Sequence, residues 1–479
     1  MDDSRSHLRR GFNWLGGATV VAKAVDLATL FVVLLYLTKT QVGIASLVVA
    51  LGTVIEALDG LGTREALIQA RSVSRAELDS LFWFILGAAL LVGALVLLAA
   101  PLLGAIYGIA GMTVYFVAVA AKQPIVGAAV IPLALMNRDL QYERIAVVNV
   151  GSTFATAITR LALAIAGAGV WALVAAYLAS GLYTLIGALI ARPFRPRWHF
   201  HRAAIAPLAR FGVPAAIANL LDQLINNLHY LLIGWFYGPA ELAVYRVAFT
   251  VAMEPAIAVS NLINRTALPV FARAAAVTAE LQRSLAWSLR RIAQLYVPYA
   301  AAAIVAAAPI TALLHDGHGH SYAAAAEPLA LLAVAALLRV TAQLLYPLLI
   351  ASGRPGVAAR VSMATLAGLI VGISIAGVRV SAPTGIVAAA IVWIGLYPPL
   401  LLWAGRYLRR QGLLGAGEFL RAFLAPTVAA IALGVGVALV RAAVGPLDPQ
   451  TDLGAVVGAT ALAYAGLHWL GGRGDALGR

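Results

Sequence analysis

Residues Leu81 to Ile106 read LFWFILGAALLVGALVLLAAPLLGAI, an apolar run without a single charged side chain. An α-helix rises about 1.5 Å per residue, so about twenty such residues cross a hydrocarbon layer roughly 30 Å thick. This run is therefore long enough to cross a bilayer as one helix. It predicts a transmembrane helix, and similar runs recur along the chain.

The composition excludes a water-soluble globular fold. Of the 479 residues, 62% are hydrophobic and 11% are charged, whereas soluble domains carry about 25% charged residues. The chain has no cysteine, which excludes disulfides, cysteine-ligated metal centres and cysteine nucleophiles. We expect no cofactor and no metal site, and we interpret the histidine-containing segment His315–His320 as an external loop. The connections are short, so we expect no separate catalytic domain and no enzyme activity.

The apolar runs predict an all-α integral membrane protein of about fourteen transmembrane helices. In the first half the predicted spans are Phe12–Leu37, Gly43–Gly62, Leu81–Ile106, Met112–Leu135, Ile145–Gly167 and Val170–Ile190. In the second half they are Phe211–Phe236, Ala240–Ala267, Ile292–Leu314, Leu329–Ala351, Val357–Val378, Ile386–Ala404, Phe419–Val440 and Leu453–Leu470.

A weak internal repeat predicts how these helices are grouped. The matching segments are Leu37–Ser46 with Phe236–Tyr245, Ala100–Gly108 with Ala308–Gly317, and Pro132–Arg138 with Pro347–Arg354. We expect a six-helix N-terminal lobe over residues 1–205, a six-helix C-terminal lobe over 206–411 in parallel pseudo-repeat, and two additional helices over 412–479. Parallel-repeat transporters place their site centrally between the halves, which favours alternating access.

The basic residues predict the orientation in the membrane. The formal net charge is +14, and with a cytoplasmic N-terminus nearly all arginines fall in cytoplasmic segments, leaving Lys39, Arg379 and Arg441 outside. This asymmetry predicts that both termini are cytoplasmic, and it argues against nucleic-acid binding. The segment 192–202 interleaves arginines with aromatic residues, which is typical of contact with an anionic membrane surface.

Several helix-end signatures resemble a known family. They are Gly62–Gln69, Leu81–Trp83, Ala100–Pro101 with Tyr107, Pro132–Asp139, Asn227–Gly234, Tyr245 and Pro269. Together they look like the polysaccharide exporters, or O-antigen flippases, of the multidrug/oligosaccharidyl-lipid/polysaccharide superfamily. The resemblance covers nearly the whole chain. One departure is that His229 or Tyr230 stands where an acidic residue is common in that family.

The resemblance implies a multi-pass flippase of the bacterial inner membrane. Its substrate would be an undecaprenyl-pyrophosphate-linked oligosaccharide repeat unit for O-antigen, capsule or exopolysaccharide. The partners implied are this lipid-linked oligosaccharide, membrane lipids, and a polysaccharide polymerase with glycosyltransferases. A drug or cation exporter of the same superfamily is the main alternative, and a membrane glycosyltransferase or polymerase is disfavoured because no large extramembrane loop is present. No P-loop pattern occurs, which argues against direct ATP hydrolysis.

Five basic residues fall inside predicted spans, where each would cost about 2.5 to 3.5 kcal/mol at the helix centre. They are Lys23, Lys122, Arg160, Arg246 and Arg339. One interpretation is ion pairing with deep acids, most plainly between Lys23 and Asp26 on one helix face. The other is a cationic central cavity for lipid pyrophosphate, since arginine donates bidentately to phosphate. Arg160, Lys122 and Arg339 lack an acid nearby in sequence and rank first as substrate-binding candidates.

A polar stripe on the seventh span supplies the remaining candidates. Asn219, Asp222, Asn226 and His229 recur every three to four residues, which places them on one helix face. Gln223 and Asn227 lie next to this face. The stripe has two interpretations: hydrogen bonding to sugar hydroxyls with a coupling ion at Asp222, or polar packing between helices.

Overall fold

The computed structural model describes residues 21–58, 62–63, 67, 73–274, 278–412, 427–428, 431–432, 434–437, 439 and 448–477. Throughout these residues the regular structure is helical, apart from one isolated bridge between His315 and Ser321. The expected all-α fold is confirmed. The start of the first predicted span and most of the span Phe419–Val440 lie outside the described residues.

The first half forms long helices that match the predicted spans to within a few residues. After α1, described over 21–34, come α2 (Lys39–Glu56), α3 (Arg75–Tyr107), α4 (Met112–Arg138), α5 (Tyr142–Ile165) and α6 (Trp171–Ala191). Side-chain hydrogen bonds cap the N-termini of two of these helices. Thr38 and Gln41 form a capping box at the start of α2, and Ser74 and Glu77 do the same for α3; each box satisfies N–H groups that lack a partner within the helix.

The second half contains three breaks within helices. A long helical segment, α7 (Arg202–Ala274), is interrupted at Gly238, whose φ of 83° and ψ of 172° are non-helical. Helices α8 (Thr278–Val305) and α9 (Ala307–Leu313) meet at a bend of 57°. Helices α10 (Ala326–Gln343) and α11 (Leu345–Ala351) are separated at Leu344.

The chain continues with α12 (Pro355–Arg379), α13 (Thr384–Arg410) and α14 (Pro449–Leu477). In the part of the chain that the structure describes, nine helices are long and apolar enough to cross a membrane, or ten if the bent pair forms one span. This is consistent with the expected fourteen. At the start of α14 the Thr451 hydroxyl donates to Asp448, which lowers the pKa of that carboxyl group.

The residues form two compact units. The first comprises Met1–Ala243 with Asp316–His318, and the second comprises Val244–His315 with Gly319–Arg479. These units are defined by which residues contact one another. The lobes predicted from sequence, with boundaries at 205 and 411, are defined by the internal repeat. The repeat-based lobes stay a prediction.

Small residues allow close packing inside the first unit. A Cβ added at Gly93 of α3 would lie 2.8 Å from the carbonyl oxygen of Ala120 on α4, and one added at Gly127 of α4 would lie 2.9 Å from the Cβ of Ala89. Membrane helices associate through such contacts because lipid provides no hydrophobic force between them. These contacts with α3 hold α4, and with it Lys122, at a fixed position.

Candidate functional site

Lys122 lies at the centre of a buried ionic cluster in the first unit. Its Nζ is 2.9 Å from Glu56 Oε1 at the end of α2, and it sits 3.4 Å from the ring centroid of Tyr177 on α6. The Tyr177 hydroxyl donates to the same carboxylate oxygen. We name these three residues, Glu56, Lys122 and Tyr177, the Lys122 cluster. Its charges are balanced, and it ties together three helices.

Two glycines make room for the Lys122 cluster. A Cβ at Gly52 would lie 2.5 Å from the Tyr177 hydroxyl, and a Cβ at Gly181 would lie 3.0 Å from Lys122 Cε. A larger residue at either place would push the cluster apart. The Lys122 side chain is only 7% exposed, whereas that of Glu56 is 24% exposed, so the carboxylate is the more accessible half of the pair.

Arg160 forms a second deep ion pair in the first unit. Its guanidinium is 3.0 Å from the Asp26 carboxylate and also reaches the Asp26 carbonyl oxygen at 3.5 Å. In the structure Asp26 pairs with Arg160 of α5, a partner that the spacing of Lys23 and Asp26 did not indicate, and Lys23 is exposed. Lys122 and Arg160, selected because no acid is near them in sequence, both find their acid on another helix.

Arg339 lies in an aromatic environment in the second unit. The residue is 2% exposed, and its guanidinium carbon stands 5.6 Å from the ring centroid of Trp393 on α13. The Trp393 Nε1–H donates to the Tyr245 hydroxyl at 2.9 Å. The Trp393 ring gives the buried cation a favourable electrostatic surface, because the face of an aromatic ring is negative.

Arg246 makes a looser contact in the same unit. Its guanidinium lies 3.8 Å from Glu254, and the Thr250 hydroxyl is 3.4 Å from the same carboxylate oxygen. All three residues lie on α7, within eight positions of one another. The pair is therefore local to the helix, unlike the two pairs in the first unit.

The polar stripe on α7 changes in exposure along its length. Asn219 and Asp222 are exposed, Asn226 is half-buried, and His229 is fully buried. The Asn226 amide donates to the Asp222 carbonyl oxygen at 2.8 Å and to its carboxylate at 3.1 Å. His229 contacts the Asn226 carbonyl oxygen at 2.8 Å. The stripe thus forms a hydrogen-bonded row whose exposed end offers an amide and a carboxylate.

Sequence reasoning missed the aromatic members of these clusters. Tyr177, Tyr245 and Trp393 lie in apolar runs, where a ring is most simply a packing residue. One feature of the sequence could have indicated a partner such as Tyr177. Gly52 lies one helical turn before Glu56 on the same face of α2, and a glycine there leaves space for a side chain from another helix to reach the carboxylate. No comparable signal precedes Trp393.

Comparison with known protein families gives a match over more than half of the chain. Residues 35–323 match the model of a family described as polysaccharide biosynthesis protein. The match includes the helices that carry Glu56, Lys122, Arg160 and Tyr177, as well as the α7 stripe.

Two characterised bacterial proteins are similar in sequence. The lipopolysaccharide biosynthesis protein WzxC of Escherichia coli K12 is 25% identical over 276 residues, covering 55% of this chain and 54% of WzxC. The teichuronic acid biosynthesis protein TuaB of Bacillus subtilis 168 is 23% identical over 309 residues, covering 62% of each chain. The chain thus spans between about half and two thirds of the length of the curated relatives it matches.

Solved structures share the fold. The lipid II flippase MurJ in an inward closed conformation superposes with a TM-score of 0.75 at 12% identity, covering 96% of this chain and 98% of MurJ. An inward-facing multidrug resistance transporter of the MATE family superposes with a TM-score of 0.56 at 16% identity, covering 85% and 96%. At these identities the likeness concerns the fold alone.

Proposed function

The chain belongs to the polysaccharide biosynthesis protein family, and on this basis we propose that it is a flippase for lipid-linked oligosaccharides. Its substrate is an undecaprenyl-pyrophosphate-linked repeat unit, which it moves across the bacterial inner membrane by alternating access. Both termini are cytoplasmic in this proposal. Polysaccharide polymerase and glycosyltransferases act on the same repeat units.

The physical problem is the headgroup of this substrate. Two phosphates and many hydroxyl groups cannot cross hydrocarbon unaided, because each unpaired polar group there costs several kcal/mol. A protein that lowers this barrier must offer hydrogen-bond donors and positive charge inside the membrane. The apolar polyprenyl tail can stay in lipid throughout.

The observation that carries the proposal is the set of deep cations. Lys122 and Arg160 lie within spans of the first unit, and Arg246 and Arg339 within spans of the second. The carboxylates that face Lys122 and Arg160 keep these sites neutral when no substrate is bound. We propose that phosphate oxygens exchange with these carboxylates, since Asp26 is 39% and Glu56 24% exposed. Lys23 and three residues of the α7 stripe then serve as further polar contacts, namely Asn219, Asp222 and Asn226.

Reconstitution tests the transport itself. Purified protein in vesicles with fluorescent polyprenyl-linked oligosaccharide should move the lipid between leaflets faster than empty vesicles do. Disruption of the gene should leave repeat units in the cytoplasmic leaflet and abolish one surface polysaccharide. Translocation equal to that of empty vesicles, under ion gradients of either polarity, would contradict the proposal.

The role of Arg160 is tested by removing the pair without leaving a lone charge. The double variant Asp26→Asn/Arg160→Gln should reach normal levels in the membrane and export less polysaccharide. The control is Asp139→Asn/Arg192→Gln, which removes an exposed pair 3.0 Å apart and should export normally. Normal export by both variants at matched expression would refute the assignment of Arg160.

A drug or cation exporter is the second candidate. The fold likeness to a MATE transporter and the balance of acids against bases in the first unit favour it. The two functions separate in one assay, because an exporter of cations lowers drug susceptibility and transports a cationic drug in vesicles. Transport of the drug without movement of the lipid-linked oligosaccharide would replace the flippase proposal.

A further inference from the structure

The segment 192–201 follows α6 and runs along the first turns of α3. Phe194 packs into a buried cluster with Leu78, Phe82 and Ile131. The guanidinium of Arg75 covers the Phe194 ring at 4.6 Å and donates to the Arg195 carbonyl oxygen. The segment is therefore held to the helix at its beginning.

Three further side chains of α3 hold the backbone of the segment. Asp79, which is 2% exposed, accepts the Arg197 N–H at 3.2 Å, and the Trp83 Nε1–H donates to the Arg197 carbonyl oxygen at 2.9 Å. The Ser80 hydroxyl accepts the His201 N–H at 2.9 Å. Because its N–H and its carbonyl group are both hydrogen-bonded to α3, Arg197 has a fixed backbone, and its side chain is exposed.

Two large aromatic side chains remain outside this arrangement. Trp198 stacks on Trp83 with ring centroids 4.0 Å apart, yet it is 87% exposed, and Phe200 is 57% exposed. Stacking fixes the orientation of the indole without burying it. Tryptophan is enriched where helices leave the bilayer, because its ring suits the headgroup layer. Trp198 lies at such a place, since α3 begins and α6 ends beside it.

The arginines in and beside the segment differ in whether they are paired with a carboxylate. Arg75 pairs with Asp79 at 3.4 Å, and Arg192 pairs with Asp139 at 3.0 Å. Arg195 and Arg197 are exposed, and within the described ranges neither guanidinium forms an ion pair. Two positive charges without a carboxylate therefore stand beside an exposed indole, which is the combination that anionic lipid headgroups attract.

We propose that residues 194–201 form a preformed binding surface for anionic phospholipid headgroups of the surrounding bilayer. Arg195 and Arg197 bind the lipid phosphate, and Trp198 and Phe200 insert at headgroup level. Arg75, Asp79, Ser80 and Trp83 are positioning residues. The proposal does not depend on transport, and an acidic protein is the alternative occupant that the experiment must distinguish.

The experiment uses the natural absence of cysteine. A fluorophore attached to His199→Cys in the full chain is reconstituted in phosphatidylcholine vesicles that contain brominated phosphatidylglycerol or, at equal mole fraction, brominated phosphatidylcholine. Brominated phosphatidylglycerol should quench at least about twofold more strongly. In Arg195→Gln/Arg197→Gln the two lipids should quench equally, whereas Arg195→Lys/Arg197→Lys should keep most of the preference.

The matched control is Asp139→Asn/Arg192→Gln. It removes one negative and one positive charge, so the net charge of the protein is unchanged, and it should keep the full preference for phosphatidylglycerol. Size-exclusion profiles identify any variant that fails to fold. A preference that persists in Arg195→Gln/Arg197→Gln, or is absent in the unsubstituted background, overturns the proposal. So does the absence of quenching by either lipid, which would place the segment in water or against a protein.

Discussion

At the scale of single residues, the Lys122 cluster predicts strong coupling between two buried charges. Removing one partner of a buried pair leaves an uncompensated charge and costs about 3 to 5 kcal/mol. Glu56→Gln and Lys122→Gln should each lower the apparent melting temperature of the purified protein, and the double variant should recover most of the loss. Additive losses would show that the two charges act independently.

The exposed pair Asp139 and Arg192 is the control for these single and double variants. Its side chains are 36% and 42% exposed, and solvent-exposed pairs contribute at most about 1 kcal/mol. Each single substitution there should leave the melting temperature nearly unchanged.

The space around Tyr177 gives a second residue-level prediction. Gly52→Ala places a Cβ 2.5 Å from the Tyr177 hydroxyl, so the ring must move away from Glu56 and Lys122. We expect lower thermal stability and lower export at equal expression. Gly87→Ala on α3 is the control, because open space surrounds that position. Alanine favours a helix more than glycine does, so stability of Gly52→Ala equal to that of Gly87→Ala would show that contact with Tyr177 does not limit this position.

The sequence identified the deep cations but not all their partners. Lys122, Arg160 and Arg339 are charged residues within apolar runs, so the sequence alone identifies them. Asp26 and Arg160 are 134 positions apart, and their contact follows from packing between helices. Local spacing places Lys23 beside Asp26 on one helix face, but it carries no information about Arg160, which lies on another helix.

At the scale of helices, a proline removes a backbone hydrogen bond, but it does not by itself decide whether the helix breaks. Pro309 cannot donate to the Val305 carbonyl, and α8 ends at Val305; Pro347 cannot donate to Gln343, where α10 ends. Pro124 and Pro132, by contrast, lie inside the continuous helix α4. Neighbouring contacts decide between a kink and a break, and the sequence alone does not contain them.

The break in α7 depends on a conformation that favours glycine. The sequence predicted two spans separated between Phe236 and Ala240, and Gly238 lies there with φ 83° and ψ 172°. A residue with a Cβ is strained in that region by roughly 1 to 3 kcal/mol. Gly238→Ala should lower the melting temperature, whereas Gly395→Ala, in open space on α13, should not. Unchanged stability of Gly238→Ala would mean that the break does not require this conformation.

At the scale of the whole molecule, the orientation predicted from the arginines can be measured by labelling. His320 and Arg354 are both exposed, and they are separated by the helical pair α10 and α11. A cysteine at His320 should react with an impermeant thiol reagent added to intact cells, and one at Arg354 should react only after permeabilisation. Labelling of both positions from one side would contradict the expected topology. Asp316 is a poor probe because it is 5% exposed.

The three residues Asp316–His318 belong to the first unit although they lie far beyond Ala243 in the chain. Asp316 accepts the Lys39 N–H at 3.4 Å, and the Gly317 N–H donates to the Leu37 carbonyl at 3.0 Å. If the gene is divided after Ala243, the first fragment lacks Asp316–His318, which belong to its unit. The residues at the start of α2 then lose their hydrogen bonds to Asp316 and Gly317. Two plasmids, one for each fragment, should restore polysaccharide export only when expressed in the same cell, and the first product alone should be degraded.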